Sequence, residues 1–214
     1  MDIYSSIVTF FQSGGLFMYP IVVVLALGTA IAVERYIYLT VARATNQRIW
    51  KQVMPLIMDG NYGQASAVTE KSKAALARIL RYGLDRTGAN VRRDDVEVAM
   101  EEGLMETVPR LEKRTHYLAT FANLATLLGL LGTIMGLIQA FTAVANANPA
   151  EKADMLSASI SVAMNTTAFG LMAAIPLLLI YTVLQTKTTE LVDSLEMASV
   201  KFLNIMSERK GNAA

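Results

Sequence analysis

The sequence contains no cysteine and only one histidine among its 214 residues. The lack of cysteine excludes disulfides and thiolate chemistry, and a single histidine is too few for a histidine-based metal site. Charged residues are also scarce, at 17% against about 25% in soluble domains. The net charge of +1 comes without a basic stripe, so we expect no nucleic-acid partner. P-loop, zinc-protease and serine-hydrolase signatures are absent, so we expect no enzyme.

Charge is missing altogether from three long stretches, residues 3–33, 117–150 and 155–186. A membrane-spanning helix needs about 20 largely apolar residues to cross about 30 Å of hydrocarbon. Each stretch is long enough to cross a bilayer once. We therefore predict an all-α membrane protein with three long transmembrane helices and a helical cytoplasmic domain.

The basic residues are distributed unevenly around these stretches. None precedes Arg35, thirteen lie between Val41 and Thr115, and four follow Thr186. Cytoplasmic loops are enriched in Lys and Arg, which places the middle domain and the C-terminus in the cytoplasm and the N-terminus outside. No cation precedes the first apolar run, so we expect the first span to be retained rather than cleaved as a signal peptide.

These patterns divide the chain into seven segments. They are an interfacial helix at 1–14, a first transmembrane helix at 15–40, the cytoplasmic helical domain at 41–115, a second transmembrane helix at 116–145, an outer hairpin at 146–154, a third transmembrane helix at 155–186, and a cytoplasmic helix and tail at 187–214. Inside the cytoplasmic domain, apolar spacing predicts helices over Asn46–Ile57 and Tyr62–Leu84. Asp94 is the predicted N-cap of the next helix, and Pro109 predicts a kink or a boundary.

The second and third apolar stretches are rich in small residues at three- and four-residue spacing, which lets helix backbones approach closely. The small residues are Gly129, Gly132, Gly136 and Ala140 in the second stretch, and Ala163, Gly170 and Ala174 in the third, with Thr166 and Thr167 on the same spacing. Such faces are common in membrane bundles, and helix packing alone explains them as readily as a function does. Pro176 predicts a kink or a hinge in the third stretch.

Polar side chains cluster on the same two stretches. They are Asn123, Thr126 and Thr133 on the second, and Ser161, Asn165, Thr166 and Thr167 on the third. Clustered hydroxyls on adjacent spans can line a hydrated ion path, whereas an isolated threonine usually bonds the carbonyl four residues earlier. Spacing does not decide between these readings. The embedded parts of both stretches contain no Asp, Glu, Lys, Arg or His, so another chain must supply a proton carrier if ions move.

Two segments resemble the ExbB/TolQ branch of the MotA/TolQ/ExbB family. They are Leu127–Phe141, which reads LLGLLGTIMGLIQAF, and Thr167–Pro176, which reads TAFGLMAAIP. Gly14-Gly15, Met18-Tyr19-Pro20 and Glu34-Arg35 are similar to that family's first span. Three predicted spans rather than four point to this branch and away from flagellar stator subunits.

The resemblance implies a homopentamer around a dimer of ExbD/TolR-like partners, each with one span whose Asp carries the ion. Ion flow would drive rotation of one ring relative to the other in the bacterial inner membrane, with the N-terminus in the periplasm. The work would serve a TonB-like protein in transport across the outer membrane. The alternatives are a TolQ-like role in Tol-Pal envelope maintenance and a passive membrane scaffold. No cofactor is implied beyond the translocated proton, or a sodium ion.

By motif position, Thr133 and Thr167 would face the partner's Asp, with Thr166, Asn165 and Thr126 also on the ion path. Gly129, Gly132, Gly136, Gly170, Ala174 and Pro176 would serve helix packing. The family's third-span glutamate falls at Val162, so its role does not transfer, and the proline that usually precedes Leu-Leu-Gly is Thr126. Asn165-Thr166-Thr167 resembles the hydroxyl-rich step of sodium-type stators, which makes sodium an alternative ion, since neutral oxygens coordinate hard cations.

Overall fold

The computed structural model describes residues 10–11, 14–87, 92–145 and 148–213, with side chains through residue 209. Within these ranges the chain is helical and contains no strand. The helices are α1 (Met18–Met58), α2 (Tyr62–Glu70), α3 (Ala75–Asp85), α4 (Arg93–Glu112), α5 (Thr115–Ala145) and α6 (Lys152–Ala213). The chain forms two compact units. We call residues 1–33 with 114–183 the apolar unit, and residues 34–113 with 184–214 the charged unit. Most of the predicted interfacial helix at 1–14 lies outside the described residues.

Three segments are long and apolar enough to cross a membrane, namely Met18–Met58, Arg93–Ala145 and Lys152–Arg209. At about 1.5 Å per residue, the 41 residues of α1 and the 62 of α6 extend about 60 and 90 Å, well beyond about 30 Å of hydrocarbon. In the most apolar window of each of the three segments only 17–28% is buried, so most of this apolar surface is available to lipid or to other chains. The prediction of an all-α, multi-pass membrane protein is confirmed.

The charged unit has a hydrophobic core of its own. Helices α3 and α4 pack together, and Ile79, Leu80 and Met100 are fully buried. Leu195 and Phe202 on α6 are seven residues apart, lie on one helix face and are also buried. The C-terminal part of α6 is therefore amphipathic, with its apolar side inside this core.

Two polar contacts fix α3. Asn46 on α1 is buried, and its Oδ1 accepts a hydrogen bond from the backbone N of Leu76 at 3.1 Å, in the first turn of α3. This turn needs an external acceptor, because the N-cap Ala74 offers no side-chain hydrogen bond. At the surface, Tyr82 Oη donates to Glu106 Oε2 on α4 at 2.8 Å. That hydrogen bond to a carboxylate raises the pKa of Tyr82 above its ordinary value.

The helix predicted over Tyr62–Leu84 is in fact two helices. Helix α2 ends at Glu70, and α3 begins at Ala75. Between them, Ser72 Oγ accepts a hydrogen bond from the backbone N of Ala74 at 3.2 Å. Local bonds of this kind compete with helical hydrogen bonding, so the prediction of one continuous helix was wrong at this turn.

Asp94 was predicted to cap α4, and that prediction was wrong. The helix begins one residue earlier, and its N-cap Arg92 makes no side-chain capping bond. Asp94 and Asp95 instead lie in the first turn, where carboxylates interact favourably with the positive end of the helix dipole. Pro109 lies inside α4, and the helix boundary comes three residues later at Glu112. Pro176 likewise lies inside α6.

A buried arginine holds the end of α4. Arg35 on α1 is 3% exposed, and its Nη2 donates to the carbonyl oxygen of Leu111. Its guanidinium carbon lies 4.8 Å from the centre of the Tyr38 ring, a cation–π contact. The last carbonyls of a helix have no partner within the helix, so Arg35 supplies the donor that this end requires.

Replacing Arg35 with Met is expected to lower the free energy of unfolding by about 1.5–3 kcal/mol, because the buried Leu111 carbonyl loses a charged donor. Arg43→Met is the matched control. Arg43 pairs with Glu190 at 2.9 Å, but both side chains are more than half exposed, so its loss should cost about 0–1 kcal/mol. Denaturant titration in one detergent, followed by circular dichroism, measures both. Equal losses would contradict the capping role of Arg35.

Candidate functional site

In the apolar unit, the backbones of α5 and α6 are in close contact at two glycines. A Cβ added at Gly170 would lie 2.7 Å from the carbonyl oxygen of Ala125 and 3.0 Å from Cα of Gly129. A Cβ added at Gly129 would lie 3.2 Å from Cα of Thr167. The obstructing atoms belong to the backbone and cannot rotate away. Only glycine therefore allows this separation.

The close packing continues toward the other end of both helices. A Cβ at Gly136 would lie 2.8 Å from Cβ of Ala163, and a Cβ at Gly132 would lie 3.1 Å from Cβ of Thr166. Ala174 is 2% exposed. We call this line of contacts the glycine seam, comprising Gly129, Gly132 and Gly136 on α5 with Ala163 and Gly170 on α6.

Thr133 and Thr167 meet across the glycine seam. Their hydroxyls are hydrogen-bonded to each other, and both reach the carbonyl oxygen of Gly129, at 3.2 Å from Thr133 and 2.9 Å from Thr167. Each hydroxyl has one proton and two acceptor lone pairs. One proton bonds the Gly129 carbonyl and the other bonds the neighbouring hydroxyl. The pair therefore has no spare donor but retains lone pairs on both oxygens.

The hydroxyl pair is reachable from the surface of the apolar unit. Thr133 and Thr167 are both half-buried. The flanking side chains Leu130, Met164 and Leu171 are 52%, 64% and 44% exposed. The hydroxyl pair is thus a small polar group bordered by exposed apolar side chains.

Thr166 and Thr126 make other contacts. Thr166 is 2% exposed, and its hydroxyl lies 2.6 Å from the carbonyl oxygen of Gly14 and 3.0 Å from that of Val162. It ties the turn before α1 to α6. Thr126 is exposed and bonds the carbonyl of Ala122 in its own helix at 3.2 Å. These two hydroxyls follow the structural pattern that the sequence left open.

Asn165 lies on a different side of α6 from Thr167. It precedes Thr167 by two residues, which corresponds to a rotation of about 200° around α6. It is half-buried on that other side of the helix. Of the five residues predicted to form an ion path, the structure thus brings Thr133 and Thr167 into contact and places Thr166, Asn165 and Thr126 elsewhere.

The N-terminal segment packs on α6, a contact that the residue spacing did not predict. The rings of Phe10 and Phe11 lie edge-on to the Phe169 ring, with centroids 6.4 and 5.9 Å apart. Gly15 has φ +72°, and its Cβ position lies 3.2 Å from Val162 Cγ1. The Gly14-Gly15 pair before an apolar run was the available signal, since glycine favours such a turn.

Metal ligands are not gathered anywhere in the described parts of the chain, where no three His, Asp or Glu side chains converge. The stretches at 117–150 and 155–186 carry no charged side chain at all. The chemistry available at the glycine seam is therefore that of neutral oxygens, which accept hydrogen bonds or coordinate cations.

Comparison with known proteins decides the family. Residues 71–197 match the model of the MotA/TolQ/ExbB proton channel family, a region that includes the whole glycine seam and both threonines of the hydroxyl pair. The chain belongs to this family. As a MotA/TolQ/ExbB protein it is a membrane protein of a transport-associated family, and the resemblance noted from the motifs is confirmed.

Relatives in this family carry ExbB and TolQ names. The chain is 27% identical to the ExbB-like 3 biopolymer transport protein of Synechocystis, over 78% of this chain and 80% of the relative. It is also 27% identical to an ExbB homologue of Methanothermobacter thermautotrophicus, over 92% and 69%. A shorter match, 37% identical, covers 39% of this chain and 36% of TolQ from Haemophilus influenzae.

Gly170→Ala is expected to separate α5 from α6 and to break the Thr133–Thr167 hydrogen bond, because the new Cβ would meet backbone atoms. The thermal midpoint of the detergent-solubilised protein should fall. Gly63→Ala is the control, since nothing lies within 4 Å of its Cβ position in α2 and alanine favours a helix by about 1 kcal/mol. A Gly170→Ala protein as stable as Gly63→Ala would contradict the seam.

Proposed function

We propose that this chain is the ion-channel and motor subunit of an ExbB–ExbD-type complex. A homopentamer surrounds a dimer of ExbD/TolR-like single-span subunits in the bacterial inner membrane. Ion flow through the complex powers a TonB-like protein for transport across the outer membrane. Family membership and the names of the relatives support this role, and the distribution of Lys and Arg supports a periplasmic N-terminus and a cytoplasmic C-terminus.

The observation that carries the proposal is the half-buried hydroxyl pair of Thr133 and Thr167, which has lone pairs to offer and no proton to spare. A protonated carboxyl group of the partner would donate its proton to one of these oxygens. An ionised carboxylate needs donors, and the pair has none free. The pair therefore favours the neutral, proton-loaded form of the partner's Asp inside the membrane, where an unpaired charge is costly.

Sodium is the second candidate ion. The oxygens of Thr133 and Thr167 lie beside the carbonyl of Gly129, so three neutral oxygens are close together. Oxygen atoms are the ligands that hard cations take in place of water. With the partner's carboxylate as a further ligand, the same group of atoms would hold a sodium ion instead of accepting a proton.

Thr133→Val and Thr167→Val each remove a hydroxyl and keep the shape of the side chain. Partner-dependent ion flux in reconstituted vesicles should fall about tenfold or more in either variant, since losing a hydrogen bond to an ionisable group costs about 1.5–3 kcal/mol. Thr120→Val is the control, because that hydroxyl is exposed and bonds the His116 carbonyl of its own helix at 3.4 Å. Full flux in the double variant would refute an ion path at this pair.

Flux measured with sodium replaced by potassium identifies the ion. Proton coupling predicts unchanged activity without sodium, and a pH gradient alone should then drive flux. Loss of activity that returns on adding sodium would overturn proton coupling and establish the sodium alternative.

The protein system that the complex powers distinguishes the remaining alternatives. A TolQ-like subunit would co-purify with a TolR-like protein and support envelope integrity instead of uptake; the match to TolQ from Haemophilus influenzae favours testing this. A passive scaffold would assemble with its partner and show no ion flux in vesicles, whatever residue occupies position 133.

A further inference from the structure

The charged unit carries an apolar groove between α4 and α6. Its volume is about 620 Å³, and its walls include the buried Met100 and Leu203 with the partly exposed Leu104. At its edges Met105 is 75% exposed and Val200 is 54% exposed. Exposed apolar residues that lie together and are bordered by polar ones are typical of a docking surface.

Three carboxylates border the groove, those of Glu97, Glu101 and Glu196. Among the described residues, none of the three forms an ion pair within 4.0 Å, and no basic side chain lines the groove. All three are exposed. The groove therefore fits an apolar partner surface that brings positive charge.

The outer face of α1 in the charged unit is both apolar and positively charged. Arg48 and Lys51 are exposed on it and have no ion pair within the described part of the chain. Val41 and Met58 on the same face are each 58% exposed. The opposite face of α1 is buried in its own unit through Asn46, Ile49, Val53 and Ile57. The basic face is thus free to meet another chain.

The basic face and the acidic border lie at the same height along the helices. Helices α1 and α6 run in the same direction in the charged unit. The contacts that show this are the Arg43–Glu190 pair at 2.9 Å and the side chain of Arg209 lying against Gly60. Counted from the first pair, Arg48 on α1 lies about 8 Å further along and Glu196 on α6 about 9 Å further along.

Helix α4 runs in the opposite direction to α1, and its carboxylate Glu97 also lies at the height of Arg48. The contacts that show its direction are Leu111 with Arg35 and Arg93 with Asn204, the latter at 3.3 Å. Counted from the Arg35–Leu111 hydrogen bond, Arg48 lies about 20 Å along α1 and Glu97 about 21 Å along α4. Arg48 is therefore within one helical turn of all three carboxylates, and Lys51 is within one turn of Glu97 and Glu196.

We infer that this groove is the docking site for α1 of a second copy of the chain, with Arg48 and Lys51 paired to Glu97, Glu101 and Glu196 of the neighbour. In a ring whose axis is parallel to these helices, all copies lie at the same height along the axis. Only groups at equal height can therefore meet. The two surfaces lie on different faces of one chain, which is the heterologous arrangement that builds a ring. The inference rests on the proposed homo-oligomer and names the contact between its subunits.

Cysteine cross-linking tests the contact in membranes, because the chain has no cysteine of its own. Lys51→Cys with Glu97→Cys, treated with a short bis-maleimide, should give a ladder of covalent oligomers. Each single variant should give little beyond monomer, since a heterologous contact does not place one position against itself. Arg81→Cys with Glu97→Cys is the matched control, because Arg81 is about half exposed on α3 and does not line the groove.

Several results would overturn the inference. They are no ladder from the Lys51/Glu97 pair, an equal ladder from the Arg81/Glu97 control, and an adduct of Glu97→Cys with a different polypeptide such as the single-span partner. Native mass spectrometry of the same samples separates this failure from that of the proposed function. An intact, ion-conducting ring without the cross-link would refute only this contact. The absence of any ring would refute both the contact and the proposed function.

Charge exchange provides an independent measurement. Glu97→Lys with Glu101→Lys should reduce the assembled fraction about tenfold or more, because like charges then face each other. Adding Arg48→Glu and Lys51→Glu in the same chain should restore it, which a folding defect would not allow. Failure of this rescue, with the quadruple variant folded by circular dichroism, would count against the contact.

Discussion

Gly129 and Gly170 bring the backbones of α5 and α6 into direct contact, and the hydroxyl pair depends on that contact. Threonine side chains are short, so Thr133 and Thr167 reach each other only where the helix axes are close. Between helices in lipid there is little hydrophobic driving force, and close van der Waals packing takes its place. A Cβ at Gly170 would come within 2.7 Å of a backbone oxygen, which no side-chain rotation can relieve. The seam thus sets the distance at which the polar atoms meet.

Packing and polarity are compatible at this seam because they use different atoms. The glycines provide the close approach, and the threonines place neutral oxygens beside it. A charged side chain at the middle of a bilayer costs about 2.5–3.5 kcal/mol on insertion scales, whereas a hydroxyl bonded to a carbonyl avoids most of that cost. Residues 117–150 and 155–186 can therefore insert into the bilayer and still offer hydrogen-bond acceptors. In the proposed complex, a titratable group from another chain completes the chemistry.

The charged unit depends on buried polar side chains of α1. Asn46 accepts from the first turn of α3, and Arg35 donates to the last turn of α4. Both helix ends expose backbone groups that the helix itself cannot satisfy. Helix α1 therefore supplies hydrogen-bond partners as well as an apolar face. Its opposite face, with Arg48 and Lys51, is left to the surroundings of the unit.

The residues of the seam could be predicted from the sequence because helical periodicity is a local property. The spacing of Gly129, Gly132 and Gly136 already placed them on one face, and the same spacing grouped Thr126 with Thr133. It did not reveal that α2 and α3 are separate or that Thr166 bonds the carbonyl of Gly14. Those features depend on contacts between residues far apart in the chain or on one local side-chain bond.

The sequence by itself determined that three uncharged stretches form membrane helices. Charge is costly in hydrocarbon, so a membrane helix is recognised by a long stretch without charged residues. Only the tertiary structure decided which hydroxyls meet. Thr126, Asn165 and Thr167 are equally polar in the sequence, but the rotation and separation of α5 and α6 bring Thr167 alone of these three to Thr133. Those two quantities come from side-chain packing between helices, which no pattern within one helix encodes.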